Sequence, residues 1–528
     1  MDTFARDHLP PAALWPAIEF TTPELQYPDR LNAATELIDV PAARFGPDRP
    51  ALRTPSGEVW SYGDLLTRAN QVAHVLVEDL GLVPGQRVLL RSPNNPWTVA
   101  AWLGVLKAGG VLVTTMAALR TRELAPIVER TRPTIALVDN RFIEDVEALP
   151  SLTVVGYDDL AARCAGKPGE FTAVDTAADD VALLAPTSGS TGSPKITMHF
   201  HRDVLSIDNT FGRHVLRLNP DDLVACTAPF AFTFGLGMLV VFPLRAGACA
   251  LLTEAATPAQ VADLVAQHGV TVLATAPTAY KAILRDGADV KLKGLRTAVS
   301  AGEHIPLQTW ERLRDRLGLR VIDGIGATEL LHIFISAAGD DIRPGSTGKP
   351  VPGYRATVLD PDGLELGPGV PGRLGVIGPV GCRYLDDERQ KDYVVNGWNV
   401  TGDVFHRDSD GYFHYHARSD HMIVSSGYNI GGPEVEEAVD THPDVVESAV
   451  VAKPDDERGS VVCAFVVLRE GVEGDAAKAE EIQDHVKRTI APYKYPRDVR
   501  FVEALPRNAS GKLQRFALRK IVEDEVPA

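Results

Sequence analysis

The chain has 528 residues, 45% of them hydrophobic, a formal net charge of −17 and five cysteines. Its size suits several compact units fused in one body, and its ordinary apolar content argues against disorder or low complexity. The acidic balance without long basic runs argues against nucleic acid and membrane surfaces as partners, while an odd cysteine count without a CxxC pair argues against a disulfide frame or a structural zinc and for a cytoplasmic location.

The first residues, Met1-Asp-Thr-Phe-Ala-Arg-Asp-His8, have no basic stretch followed by an apolar core, so no signal peptide is expected. Residues 88–90, 97–107 and 110–114 read as strand, amphipathic helix and strand, a βαβ unit. Short β-rich runs at 134–138, 270–273 and 297–300, separated by helical stretches such as 259–268, predict mainly parallel sheets covered on both faces. The most apolar window, 235–253, is interrupted by Pro243 and Arg245 and falls short of the roughly 20 apolar residues of a membrane span, so it reads as buried structure. From Tyr354 short strands at 356–359 and 374–377 with Gly/Pro turns such as 361–363 indicate a small β-rich subdomain. Beyond Asp420 a helix at 433–439 with proline in its first turn, strands at 445–452 and 461–468 and a helix at 476–489 form a separate unit. The expected fold is α/β: a large N-terminal body, 1–419, of several subdomains with mainly parallel sheets and a β-rich part at about 350–419, then a small mobile α+β domain, 420–528.

One loop stands out. Thr187-Ser188-Gly189-Ser190-Thr191-Gly192-Ser193-Pro194-Lys195 follows the apolar run 181–185, which reads as a buried strand, so the loop belongs at a strand's carboxyl end. Its glycines let backbone N–H groups approach anionic oxygens, its hydroxyls add donors and its lysine adds a point charge, which suits a polyphosphate. A plain polar turn is the competing reading. The kinase and GTPase pattern needs Gly-Lys-Ser/Thr in direct succession, whereas Ser193 and Pro194 separate Gly192 from Lys195.

Further short motifs follow in order: Ala301-Gly302-Glu303, Asp323-Gly-Ile-Gly326-Ala-Thr328-Glu329, Thr401-Gly-Asp403, Arg418-Ser-Asp420, Ser426-Gly427-Tyr428 and Pro506-Arg-Asn-Ala-Ser-Gly-Lys512. Together with the loop they resemble the acyl-adenylate-forming superfamily along nearly the whole chain. The resemblance implies that Thr187 to Lys195 cradle the β- and γ-phosphates of ATP, that Glu329 holds Mg²⁺ and that Thr328 donates to the α-phosphate. It implies that Asp403 accepts from the ribose hydroxyls and Arg418 reaches the ribose or phosphate, with Gly302, Glu303 and Asp323 on the adenine side. Lys512 would bridge the substrate carboxylate and α-phosphate. Asp420 would be the hinge whose rotation withdraws Lys512 and brings Gly427 and Tyr428 against a pantetheine tunnel; a glycine there leaves room for a thin arm.

Within the superfamily the segments 196–205, 231–237, 323–334 and 427–435 are similar to aryl-CoA ligases of the benzoate and 2-aminobenzoate type. Phe232 stands where many relatives have histidine, a flat apolar wall for an aromatic or bulky acid. Ala301 and Gly326 would leave room for a ring, and His332 would offer a polar edge; packing or structural roles compete for Phe232 and His332. Ile325 replaces an aromatic residue and His421 an acidic one common in relatives. The activity implied is ATP-dependent, AMP-forming acyl-CoA ligation of a small-molecule carboxylic acid. A stand-alone enzyme loading a carrier protein, and a homologue that performs one half-reaction or only binds acyl-adenylate, are the alternatives. A homodimer stays open.

Overall fold

The computed structural model describes residues 1–187, 194–419, 422–425, 428–455, 458–507 and 513–524. Ser188, Gly189, Ser190, Thr191, Gly192, Asp420, Gly427 and Lys512, all singled out above, lie outside the described residues, and Tyr428 is described through its backbone alone.

The chain divides into two compact units, residues 1–356 with 375–400 and residues 357–374 with 401–528. Residues 357–374 and 401–419, expected with the N-terminal body, belong by this division to the second unit. Two sheets build the first. The smaller runs Thr153–Gly156, Ile135–Val138, Arg87–Arg91, Val111–Thr115, Val181–Thr187 and Lys195–Phe200, all parallel except the last, which turns back antiparallel on Val181–Thr187. The larger has nine strands whose six central members, from Ile322–Gly326 through Thr297–Ala301, Val272–Thr275, Leu223–Cys226 and Cys249–Leu251 to Pro50–Arg53, are parallel. Arg87–Arg91 and Val111–Thr115 are buried along their whole length around the apolar stretches 88–90 and 111–113, as strands covered on both faces are.

The helix expected at 97–107 forms as Pro96–Lys107, started by proline in its first turn and by the Asn95 side chain, which accepts from the Thr98 N–H. It is not amphipathic: every residue except Trp97 is buried, because it packs against the Tyr62–His74 helix as well as the strands beside it. Lys107, with no route to water, is held by Asp39 at 2.7 Å.

In the second unit Val445–Asp455, Gly459–Leu468 and Asp498–Phe501 form a three-stranded sheet. Alternation sorts its side chains: Val450, Val462, Ala464 and Val466 meet the Gly432–Asp440 and Ala476–Thr489 helices, while Ala449, Val451, Cys463 and Phe465 meet the Arg515–Glu523 helix. All five cysteines are free and buried. Among the described residues no helix is long and apolar enough to cross a membrane.

Candidate active site

The antiparallel pairing of Val181–Thr187 with Lys195–Phe200 puts Thr187 opposite Lys195, so both ends of the phosphate-type loop are fixed by one strand pair. Arg130 secures the exit: its guanidinium donates to the carbonyl of Pro194, to that of Leu385 at 2.6 Å and to Asp387 at 3.2 Å. A second segment runs along the Lys195 strand. The Met198 N–H donates to the Arg383 carbonyl at 2.8 Å and the Leu385 N–H to the Ile196 carbonyl at 2.9 Å, which sets Tyr384 across from Thr197.

Three side chains meet here, Tyr384, Lys195 and Glu329. The fully buried Tyr384 donates from its hydroxyl to Glu329 Oε1 at 2.5 Å, and the Lys195 ammonium lies 3.4 Å from the Tyr384 hydroxyl oxygen and 5.1 Å from the ring centroid. Burial, then the neighbouring Glu329 charge, push the Tyr384 phenol far above its ordinary value, so it stays protonated. Nothing in the sequence singled out Tyr384 or Arg130, which become neighbours of Lys195 only through strand pairing and a long-range contact.

Thr328 and Glu329 open the short turn Thr328–Leu330 after the strand Ile322–Gly326. The turn is anchored from beneath: His199 Nε2 approaches the Thr328 carbonyl at 2.8 Å and Thr197 Oγ1 at 3.1 Å. Because Thr197 Oγ1 gives its own proton to the Ala185 carbonyl, both neighbours act as acceptors and the His199 proton sits on Nε2. Burial holds His199 down at about 4, so it is neutral at physiological pH. Deeper still, Asp203 and Arg383, both fully buried, pair at 2.9 Å, and the guanidinium stacks 4.0 Å from the Phe200 ring centroid.

On the larger sheet, Gly302 follows the strand Thr297–Ala301 with a φ of +90°, a conformation other residues rarely adopt. Glu303 accepts from Thr278 Oγ1 at 3.1 Å. Asp323 is buried, its Oδ1 lacks a hydrogen-bond partner, and burial pushes its carboxyl up to about 8, so it is largely protonated at neutral pH.

Ala301 is buried at the end of its strand, and Phe232, half-buried, precedes the Thr233–Leu236 helix, accepting from the Leu236 N–H at 2.8 Å. A side chain at Gly326 would meet the His332 carbonyl at 2.7 Å, so the close strand pairing at this bulge requires glycine. His332 is 2% exposed and boxed by the rings of Phe211, Phe234 and Phe242, with centroids at 5.2, 5.7 and 4.7 Å. Neither ring nitrogen has a hydrogen-bond partner of good geometry, and burial holds it down at about 3. The polar edge expected of His332 is thus a neutral imidazole in an aromatic enclosure. Phe211 and Phe242 escaped the sequence reading because their elements lie far along the chain from residue 332.

In the second unit, Asp403 and Arg418 are cross-strand partners, which places the guanidinium 3.4 Å from the Asp403 carboxylate. Asp403 is buried and the Arg418 side chain is 46% exposed, an anion seated below a cation open to solvent.

Residues 39–383 match the AMP-binding enzyme family and residues 434–512 the AMP-binding enzyme C-terminal domain. The chain is 35% identical over 518 residues to benzoate–CoA ligase of Thauera aromatica, covering 94% of this chain and 98% of that protein. It is 33% identical over 533 residues to the mitochondrial acyl-coenzyme A synthetase ACSM3 of Pongo abelii, covering 94% and 90%. Among solved structures, the anthranilate CoA ligase AuaEII in complex with anthranoyl-AMP superposes with a TM-score of 0.90 at 31% identity, covering 95% of this chain and 99% of that one.

Proposed function

The chain belongs to the AMP-binding enzyme family, and from that premise we propose that it is an ATP-dependent, AMP-forming ligase that activates an aromatic or bulky carboxylic acid as its acyl-adenylate and transfers the acyl group to CoA. The observation that carries this reading is the near full-length likeness to benzoate–CoA ligase, and the joining of Lys195 and Glu329 through one buried phenol supports it.

A carboxylate resists thiols because oxide would have to leave; an acyl-AMP anhydride replaces it with a good leaving group. Forming the anhydride brings one anion against the α-phosphorus of another, so the site must offset repulsion and spread developing charge. Lys195, at the exit of the loop 188–193, meets the β- and γ-phosphates as a point charge. Glu329 offers a hard carboxylate oxygen, the donor Mg²⁺ takes alongside substrate phosphates; bound there, the cation would neutralise phosphate charge. Thr328, its backbone tied down by His199, donates its hydroxyl to the α-phosphate. Gly302, Glu303 and Asp323 form the adenine wall, where a protonated Asp323 has a hydrogen to give. Asp403 accepts from the ribose hydroxyls, Arg418 reaches the ribose or phosphate, and Lys512 joins the substrate carboxylate to the α-phosphate. Asp420 serves as the hinge, with Gly427 and Tyr428 on the pantetheine path.

Phe232, Ala301 and Gly326, with the ring-enclosed His332, give the acid an apolar seat, which favours an arene. Carrier-protein loading is the second reading, since the same adenylate would serve either thiol. Pyrophosphate exchange across benzoates and medium-chain acids, followed by AMP release with free CoA or a phosphopantetheinylated carrier, tests both. Exchange driven best by benzoates and discharge by CoA are expected; discharge by the carrier alone would replace the first reading with the second.

A further inference from the structure

We propose that Tyr384 is a positioning residue of adenylate formation: its phenol oxygen, wedged between Lys195 and Glu329, keeps their charges from closing on each other and holds both open toward the polyphosphate and its cation. The inference rests on the function proposed above.

Three observations carry it. The phenol's bonding is directed by its neighbours: an ionised carboxylate only accepts and an ammonium only donates, so the hydroxyl gives its proton to Glu329 Oε1 and turns a lone pair toward Lys195 Nζ. Among the described residues, Lys195 and Glu329 form no direct ion pair, although both lie within reach of one oxygen atom. The wedge is also rigid. Tyr384 is fully buried, packs edge-on to Tyr393 with centroids 5.8 Å apart, and is bridged through its backbone to Thr197, two residues from Lys195. Its own N–H donates to Gln390 Oε1 at 2.8 Å, and Gln390 in turn donates to the carbonyls of Leu14 and Cys382.

Without the phenol oxygen, ammonium and carboxylate would be free to meet directly, and each would present less charge to an incoming ligand. With it, Glu329 keeps Oε2 and Lys195 keeps its remaining hydrogens for that ligand. A structural tyrosine that merely satisfies its hydroxyl would support the fold but would not distinguish ATP from AMP.

That contrast sets the test. In Tyr384→Phe the ring is retained and only the oxygen is lost. Titration calorimetry should show the Kd for ATP with Mg²⁺ rising by about 10-fold or more, the scale of one hydrogen bond to a charged group, while the Kd for AMP, which lacks the β- and γ-phosphates, changes less than about 2-fold. The acid KM and CoA discharge of supplied acyl-AMP should hold. Unchanged ATP binding, or equal weakening toward ATP and AMP, would overturn the proposal. Lys195→Ala and Glu329→Gln separate it from its premise: if either binds ATP with Mg²⁺ as tightly as the unaltered enzyme, the assignment of the phosphate site fails whatever Tyr384→Phe does.

Discussion

Asp323 combines a carboxyl pushed up to about 8 with a buried oxygen that has no partner, and both follow from its place inside the larger sheet. In the unfolded chain the same group titrates near 3.8. Between these values the folded protein keeps a proton that the unfolded chain has released, so this residue's contribution to stability falls as pH rises through the window. Asp323→Asn cannot titrate. Its melting temperature relative to the unaltered protein should therefore climb from pH 5 to 8 and level off above; parallel curves would show that Asp323 is already ionised in the fold. Phe232→Ala should shift acid preference toward larger substrates with the ATP KM nearly unchanged, because the ring is assigned to the acid seat. Truncating a core aromatic costs about 3 to 5 kcal/mol, less where the ring is half-buried, so melting must be checked alongside kinetics. An unchanged ranking of acids with weakened ATP binding would move Phe232 out of that seat.

The two elements that carry Lys195 and Tyr384 share one foundation. Asp203 caps the His201–Ile207 helix by accepting from the Phe200 N–H at 3.0 Å and pairs with the buried Arg383. Removing one partner of such a pair leaves an uncompensated charge and costs about 3 to 5 kcal/mol. Asp203→Ala should lower the denaturation free energy by that amount, read from the urea midpoint. A loss below about 1 kcal/mol would mean that water or another group reaches the Arg383 guanidinium.

At the scale of the molecule, burial holds His199, His201 and His304 at about 4 and His332 at about 3. Their unfolded value is 6.5, so as pH falls from 6.5 toward 4 the unfolded state takes up protons that the folded state refuses, and stability is lost across that window. Asp323 at about 8 and Asp208 at about 6 act in the opposite sense. The four imidazoles outnumber the two carboxyls, so unfolding at pH 5.5 should take up protons, measurable by calorimetry in two buffers of different ionisation enthalpy. Net release would contradict the buried, neutral imidazoles. The division of labour between half-reactions is tested with Lys512→Ala, which should depress acyl-AMP formation by about 10²- to 10³-fold and leave thioester formation from supplied acyl-AMP nearly intact; equal loss of both would refute a lysine that serves only the first.

What the sequence determined by itself was local or written in contiguous motifs. The βαβ order from 87 to 115, the helices Pro258–His268 and Ala476–Thr489 and the positions of Lys195 and Glu329 were legible because periodicity, capping and short motifs act over a few residues. Burial on every side was not: Pro96–Lys107 read as amphipathic although its neighbours leave no face to water. Only the tertiary structure decided that Tyr384 stands between Lys195 and Glu329, that Asp203 and Arg383, 180 positions apart, pair beneath them, and that Phe211, Phe234 and Phe242 enclose His332. Such contacts depend on strand register and on which elements pack together. No local rule encodes them, because distant side chains meet only once chain entropy has been overcome across the whole core.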